Sequence, residues 1–421
     1  MMDVPAVWQT MADQISHEHH YVPRWYQKRF LARGEEKLWY LNLKPEKVTF
    51  DQRRSYTKRA LFRSYPAQCF WLQDLYLLRF GKTVNDAIET VFFGKVDDHG
   101  ERSVRFFATQ AIDRAELNPA YQGLLRFIAA QRLRTPRGLD WLRVQAGVEE
   151  QNRVLIVMRQ MFEAYNAMWM EGTWEIVSAQ HSATKFIISD DPVTFFNRKI
   201  HPGEAAYPGG DDFPKVGTRT IFPLSPDFCL IITHLQLIRN PWCKPLDTRL
   251  NARLFGTTVG YLVGIQHGRE LEEIEVARIN YILKKLATKH IAAGREADLY
   301  PENALGKVEW SKLDDDWFLL PNVWKVHFTT GIMMGTADGR HLAIDEYGHN
   351  PRHPDYQDKK RRAREHGTFE AAKREWAKRR LGKPLAQTLD VGRENEVYDR
   401  LMREYLQQED LLPREEADPA G

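Results

Sequence analysis

A chain of 421 residues with 43% hydrophobic content is long enough for two or three domain-sized units and apolar enough to bury real cores, which excludes disorder as its default state. Its 60 Lys and Arg against 57 Asp and Glu give a net charge of +3, so overall charge does not by itself mark a nucleic-acid binder. Cys69, Cys229 and Cys243 form neither a CxxC pair nor a Cys/His cluster, which argues against a disulfide framework and a structural zinc site.

The first residues, MMDVPAVWQTMADQISHEHHYVP, carry acids and polar breaks where a secretory signal needs a basic stretch and then an apolar one. Apolar runs near 124–133 and 254–265 are interrupted by Arg, Gln, Gly or Thr, so no membrane-spanning helix is expected and the cytoplasm is the expected location. Twelve Trp, 16 Tyr and 21 Phe are read first as core packing, because aromatic rings mainly bury area.

Pro23 opens a short helix through RWYQKRFLARG that Gly34 stops, burying Trp25, Tyr26, Phe30 and Leu31. KLWYLNL (37–43) reads as a strand. Helical spacing from Thr83 to Ile112 predicts two helices parted at Gly100. A third helix starts at Asn118-Pro119 and ends at Thr135-Pro136, and a long Met-rich helix fills 149–171 up to Gly172.

Strands follow. TWEIVSA (173–179) and KFIISD (185–190) are expected as neighbours, and RTIFPLS (219–225) with FCLIITH (228–234) as a pair around Ser225-Pro226-Asp227. The Gly- and Pro-rich stretch 197–218 is a surface connection, and 248–290 returns to helix with Leu271, Ile274, Ile282 and Leu286 on one face. The fold class is therefore α+β: a helix-rich N-terminal half packed on a mainly antiparallel sheet, with a mixed C-terminal extension. The expected division is 1–290 (helical 80–171, sheet 173–234, helical 248–290) and 301–421.

Four segments stand out in order: HHYVPRWYQKRF (19–30), FIAAQRLRTPR (127–137), FIISDDPV (186–193) and IFPLSPDFCLII (221–232). Together they resemble domain-of-unknown-function family 4238, whose members carry an HYVP opening, a helix ending in Arg, Thr or Ser, then Pro, an SD-x-P strand end and a PLSP turn. The resemblance covers roughly 17–290. It brings no settled activity, and the C-terminal 130 or so residues lie outside it.

His20 carries the most versatile group, because a neutral imidazole can act as base, acid or ligand; its structural alternative is a hydrogen bond to a backbone carbonyl. Asp190 ends an apolar strand, a position that suits a general base or a ligand of a divalent metal, or else an Asx-type turn ahead of Pro192. Ser225 between two prolines reads as a rigid turn, without the strained context of a nucleophile. Arg132, Arg134 and Arg137 near one helix end form either a solvated cluster or an anion-binding fork. His19-His20 also resembles the first motif of ββα-metal nucleases, yet no His occurs between His20 and His99, so that pattern lacks its third element. Phosphate-binding glycine loops of either common type are absent.

Segment 352–383 holds twelve Lys and Arg against five Asp and Glu, net +7, so the rest of the chain is about −4. Thr368 is a candidate N-cap for a helix with Phe369, Ala372 and Trp376 on one side. Such a segment is either a solvated helix or a phosphate-backbone binder. The sequence thus yields two expectations. The first is a cytoplasmic hydrolase acting on nucleic acid or a nucleotide, suited to a defence effector, with His20 and Asp190 catalytic and His19, Tyr21, Arg24, Arg132, Arg134 and Asp191 binding substrate. In that reading Lys359, Lys360, Arg361, Arg362 and Trp376 contact nucleic acid. The second is a non-catalytic binding or structural module whose motifs are turn and packing devices.

Overall fold

The computed structural model describes residues 17–51, 54–80, 83–85, 93–109, 115–205, 207–210, 212–249, 265–314, 317–318, 320–326, 332–335, 341–344 and 352–381. Its first part is built of short strands: β1 Glu18–His20, then helix α1 Arg24–Lys28, β2 Leu38–Asn42, β3 Lys47–Asp51, β4 Arg54–Thr57, β5 Leu61–Ser64, β6 Trp71–Gln73, β7 Leu78–Phe80 and β8 Thr83–Asn85. Among the described residues, helix-rich chain therefore begins only with α2 Gly94–Phe107, followed by α3 Leu117–Leu133, α4 Pro136–Ala146 and α5 Gln151–Met170.

The expected break at Gly100 does not occur. Helix α2 runs through it, and a Cβ there would lie 2.5 Å from the Phe127 ring of α3. Glycine is thus the cost in helix propensity of bringing two helices close together. Helix α3 ends before Thr135-Pro136 as expected, but a further helix follows at once: the Thr135 hydroxyl accepts from Gly138 N at 3.0 Å to cap α4, with Pro136 in its first turn.

Five strands then form the central sheet: β9 Gly172–Ser178, β11 Thr194–Phe196, β12 Arg219–Pro223, β13 Phe228–His234 and β14 Gln266–Glu270, with β10 Ile188–Ser189 and helix α6 Leu235–Arg239 in between. The order is β11-β12-β13-β9-β14, antiparallel except for the β14–β9 pair. The β12–β13 hairpin is the expected one. The expected pairing of 173–179 with 185–190 is not: β10 joins a second sheet, ordered β10-β15-β2-β5, where β15 is His290–Ala293. That partnership is between residues far apart in sequence, which local pattern does not encode.

Both faces of the central sheet are covered. Leu230 and Ile232 of β13 join Trp174, Ile176 and the buried sides of α3 and α5, whereas Cys229 and Ile231 join helix α7 Glu273–Leu286. This is why FCLIITH is apolar without alternation: alternate side chains face opposite cores, and both are dry. Of the predicted helix over 248–290, residues 250–264 lie outside the described residues, 266–270 are strand and 273–286 are α7.

Later segments pack onto this body. Trp310, Leu313 and Phe318 enter the α7-side core, beyond helix α8 Glu302–Leu305. Gln266 and Asn322 exchange two hydrogen bonds of 2.8 Å, one in each direction, tying 320–326 to β14. After the hairpin of β16 Ile332–Gly335 and β17 His341–Ile344 come α9 Pro354–Gln357 and α10 Lys359–Leu381. Helix α10 is longer than expected: Thr368 lies inside it, its hydroxyl donating to the Arg364 carbonyl at 2.9 Å.

Candidate functional site

The four motif segments are fastened to one another. Tyr26 of α1 donates its hydroxyl to the Pro223 carbonyl at 2.6 Å, and Arg29 Nε donates to the Leu224 carbonyl at 3.0 Å, joining HYVP to PLSP. Gln131 of α3 donates to the Tyr21 carbonyl at 2.8 Å. Arg132 donates to Asp191 Oδ2 at 2.8 Å and to the Val193 carbonyl at 3.0 Å, joining RTP to SDDP. Within PLSP, Ser225 Oγ accepts from Asp227 N and Phe228 N, as a rigid turn requires.

Three of these segments meet on one cavity of about 390 Å³. Tyr21 comes from HYVP, Pro136 and Arg137 from the start of α4, and Asp190 from the end of β10. Tyr40, Phe62, Phe70 and Trp71 add aromatic wall, and Thr288, Lys289 and His290 close the other side. Phe70 holds φ of 54°, a left-handed conformation disfavoured for a residue with a Cβ. Its carbonyl accepts from Tyr21 N at 3.0 Å, so the strained residue fixes the HYVP backbone at the cavity wall.

Asp190 accepts three backbone N–H bonds, from Thr288 at 2.9 Å, Lys289 at 2.7 Å and His290 at 2.9 Å. It therefore closes the turn between α7 and β15, and not an Asx turn ahead of Pro192. Burial outweighs those donors and pushes its carboxyl up to about 6. Arg137 donates to the Leu286 and Tyr207 carbonyls at 3.1 and 2.8 Å, holding the C-terminal end of α7. Arg137 and Thr288 also line an adjoining cleft of about 530 Å³ with Lys44, Lys284 and Lys285. Lys284 is engaged by Glu302 at 2.8 Å, whereas Lys44 and Lys285 are exposed.

The remaining predicted residues lie elsewhere or are otherwise engaged. His20 is not among the residues lining the cavity; its Nε2 lies 3.1 Å from the Ala67 carbonyl and 3.2 Å from Arg24 Nε. Burial, then the Arg24 charge, lowers its pKa, so it is neutral at neutral pH. His19 is fully buried, stacked on Tyr76 at 5.3 Å and accepting from Tyr76 N at 2.8 Å. Arg24 is half exposed beside Glu18.

Arg132 and Arg134, expected to meet substrate, are 3% and 1% exposed. Arg132 is sandwiched between Tyr207 and Phe195, 3.7 and 4.1 Å from their ring centres. Arg134 is held by Asp97 and Gln131. Their guanidinium groups serve internal carboxylates; Arg137, itself 3.8 Å from Asp191, is the arginine of the three that lines the cavity. Among the described residues, no group of three or more His, Cys, Asp or Glu could hold a metal ion. The aromatic wall, Lys289 and His290 were not legible as site residues in the sequence, because they come together only through the β10-β15-β2-β5 sheet and the β1–β6 pair.

The fold and site thus define an α+β protein with a doubly covered sheet and an aromatic, cation-edged cavity at the junction of its motif segments. The chain matches the family model described as "Protein of unknown function (DUF4238)" over residues 18–165 and 142–297, and belongs to that family. No curated protein and no solved structure gives a significant match. No helix among the described residues is long and apolar enough to cross a membrane.

Proposed function

We propose that this chain is a cytoplasmic hydrolase of a nucleotide, or of a nucleotide unit within a nucleic acid, and that the cavity below Asp190 is its site. The observation that carries this reading is the meeting of three motif segments on one cavity whose walls are aromatic and whose edge is cationic. Tyr40, Phe62, Phe70 and Trp71 suit a nucleobase, because aromatic faces stack on bases with little regard to their identity. Arg137, with Lys44 and Lys285 in the adjoining cleft, suits the phosphates.

In this reading Asp190 is the general base. A carboxyl titrating near 6 is mostly ionised at neutral pH yet basic enough to take a proton from an attacking water. Arg137 neutralises charge that gathers on the phosphoryl oxygens. His20 has no part in the chemistry here and fixes the approach of the chain to α1.

Binding of AMP, ADP and ATP and of a short oligonucleotide, measured by calorimetry with product analysis, tests the reading. Wild-type protein should bind at least one of them and turn it over. Arg137→Gln should weaken binding tenfold or more, and Asp190→Asn should keep binding while losing turnover by about 100-fold or more. No binding of any of these ligands removes the proposal. Binding with no turnover by wild type favours the second reading, a non-catalytic nucleotide-binding module, in which the three N–H bonds of Asp190 are its whole role.

A further inference from the structure

The basic C-terminal helix presents a different surface from the one its sequence suggests. Arg362 is buried, and Trp376 packs with Phe369 against Ile238 of α6 and against Val323 and Val326. Arg239, 1% exposed, lies 3.8 Å from Glu365 and adds an ion pair to that contact. The apolar side of α10 is thus spent on the protein itself. Arg362 is buried there, and Trp376 is half-buried in the same contact.

What faces out is ordered. Lys360, Arg364, Gly367, Arg374 and Lys378 are all exposed. At about 100° per residue these positions, with Ala371, fall within about 80° of arc, forming one stripe along the helix. Among the described residues the four cations have no ion-pair partner, although Lys373 and Arg379, off the stripe, pair with Glu370 and Glu375. The stripe carries no carboxylate. At its middle stand Gly367, with nothing within 4 Å of where a Cβ would be, and the small Ala371.

We infer that this face of α10 is a binding surface for the phosphate backbone of a B-form DNA duplex, crossing its major groove with one cation pair on each wall. Arg364 and Arg374 are about 15 Å apart along the axis, and Lys360 and Lys378 about 27 Å, at a rise of about 1.5 Å per residue. The major groove of B-form DNA is about 12 Å wide, so the inner pair reaches both phosphate walls and the outer pair follows the strands beyond them, a match that the narrow major groove of A-form RNA does not offer. The bare Gly367 and Ala371 lie over the groove between. An anionic membrane fits less well, because interfacial helices bury an apolar face in lipid, and here that face is already buried in protein. Recognition is of charge and spacing, not of base sequence.

None of the stripe residues lines the cavity, so the mononucleotides test the cavity and a duplex tests this surface. Binding of unrelated 20-base-pair DNA and RNA duplexes to the full chain is followed by fluorescence anisotropy at about 50 and 200 mM salt. Four phosphate contacts give a log–log slope near −3.6 and an affinity loss of about 150-fold over that range. Replacing Lys360, Arg364, Arg374 and Lys378 by Gln should lower affinity at least tenfold and flatten the slope. A charge-matched control replacing the exposed Arg33, Lys47, Arg59 and Lys307 by Gln should change it less than threefold. Gly367→Glu, whose Cβ meets no neighbour within 4 Å, should weaken duplex binding without lowering thermal stability. The inference is overturned if wild type does not bind the DNA duplex, if stripe and control variants lose affinity equally, or if the stripe variant instead loses binding to phosphatidylserine vesicles while duplex binding stands.

Discussion

Asp190 concentrates the competition between structure and chemistry into one carboxyl. Its folded pKa is raised to about 6 by burial, so between about pH 4 and 6 the folded protein holds a proton that the unfolded chain has released. The sign follows: this contribution is fully present below the unfolded pKa of roughly 4 and lost as pH rises through 6, by about 3 kcal/mol. His234, which burial and then Arg249 push down to about 3, acts the opposite way over the same range. Denaturant unfolding of wild type and Asp190→Asn from pH 4 to 7 isolates the carboxyl, and the wild-type advantage should shrink as pH rises. An advantage that grows with pH would refute a raised pKa.

Arg132 supplies a second test at this scale. Its pairing with Asp191 is buried on both sides, 3% and 5% side-chain exposure, so Arg132→Ala leaves a carboxylate buried with its principal charge partner gone. The cost should be about 3–5 kcal/mol, the range for breaking a buried pair. Adding Asp191→Asn should recover part of it, measured as a double-mutant cycle. A stability loss under 1 kcal/mol in Arg132→Ala would mean that the pair does not hold the RTP and SDDP segments together.

Among the elements, the apolar stripes placed α3 and α5, while the expected break at Gly100, the caps at Asn118 and Thr368 and the pairing of 173–179 with 185–190 did not hold. Helices α3 and α5 satisfy most of their hydrogen bonds locally, so 3.6-residue spacing suffices to place them. The two-residue strand β10 owes its existence to β15, about a hundred residues on. Glycine again depends on its surroundings. Gly100→Ala should destabilise by about 1–3 kcal/mol through overpacking against the buried Phe127. Gly367→Ala, in open space within α10, should stabilise by about 0.5–1 kcal/mol. Paired chemical-denaturation curves check both, and a stabilising Gly100→Ala would contradict the packing of α2 on α3.

For the whole molecule, the aromatic and apolar content expected to fill cores does so on two faces of one sheet, and a third cluster docks α10 through Phe369. Phe369→Ala should therefore release α10 without unfolding the rest. Hydrogen exchange should rise across 359–381 and remain slow across 117–133; equal acceleration in both would mean that α10 is part of one cooperative core.

The sequence by itself determined what is local in cause: the α+β class, the helix ends at Thr135-Pro136, the β12–β13 hairpin around Ser225, the family membership carried by four ordered motifs, and the charge concentrated in 352–383. Tertiary structure alone decided which side chains face one another. It turned Arg132 and Arg134 inward to carboxylates, kept His20 out of the cavity lining, brought Lys289 and His290 to Tyr21 through the β10-β15-β2-β5 sheet, and buried Arg362 and packed the half-buried Trp376 against the body so that Lys360, Arg364, Arg374 and Lys378 face out. The reason is the range of the interactions. A helix or a turn is fixed by bonds a few residues apart, whereas a guanidinium finds its carboxylate, and a cavity its walls, only after strands distant in sequence have paired.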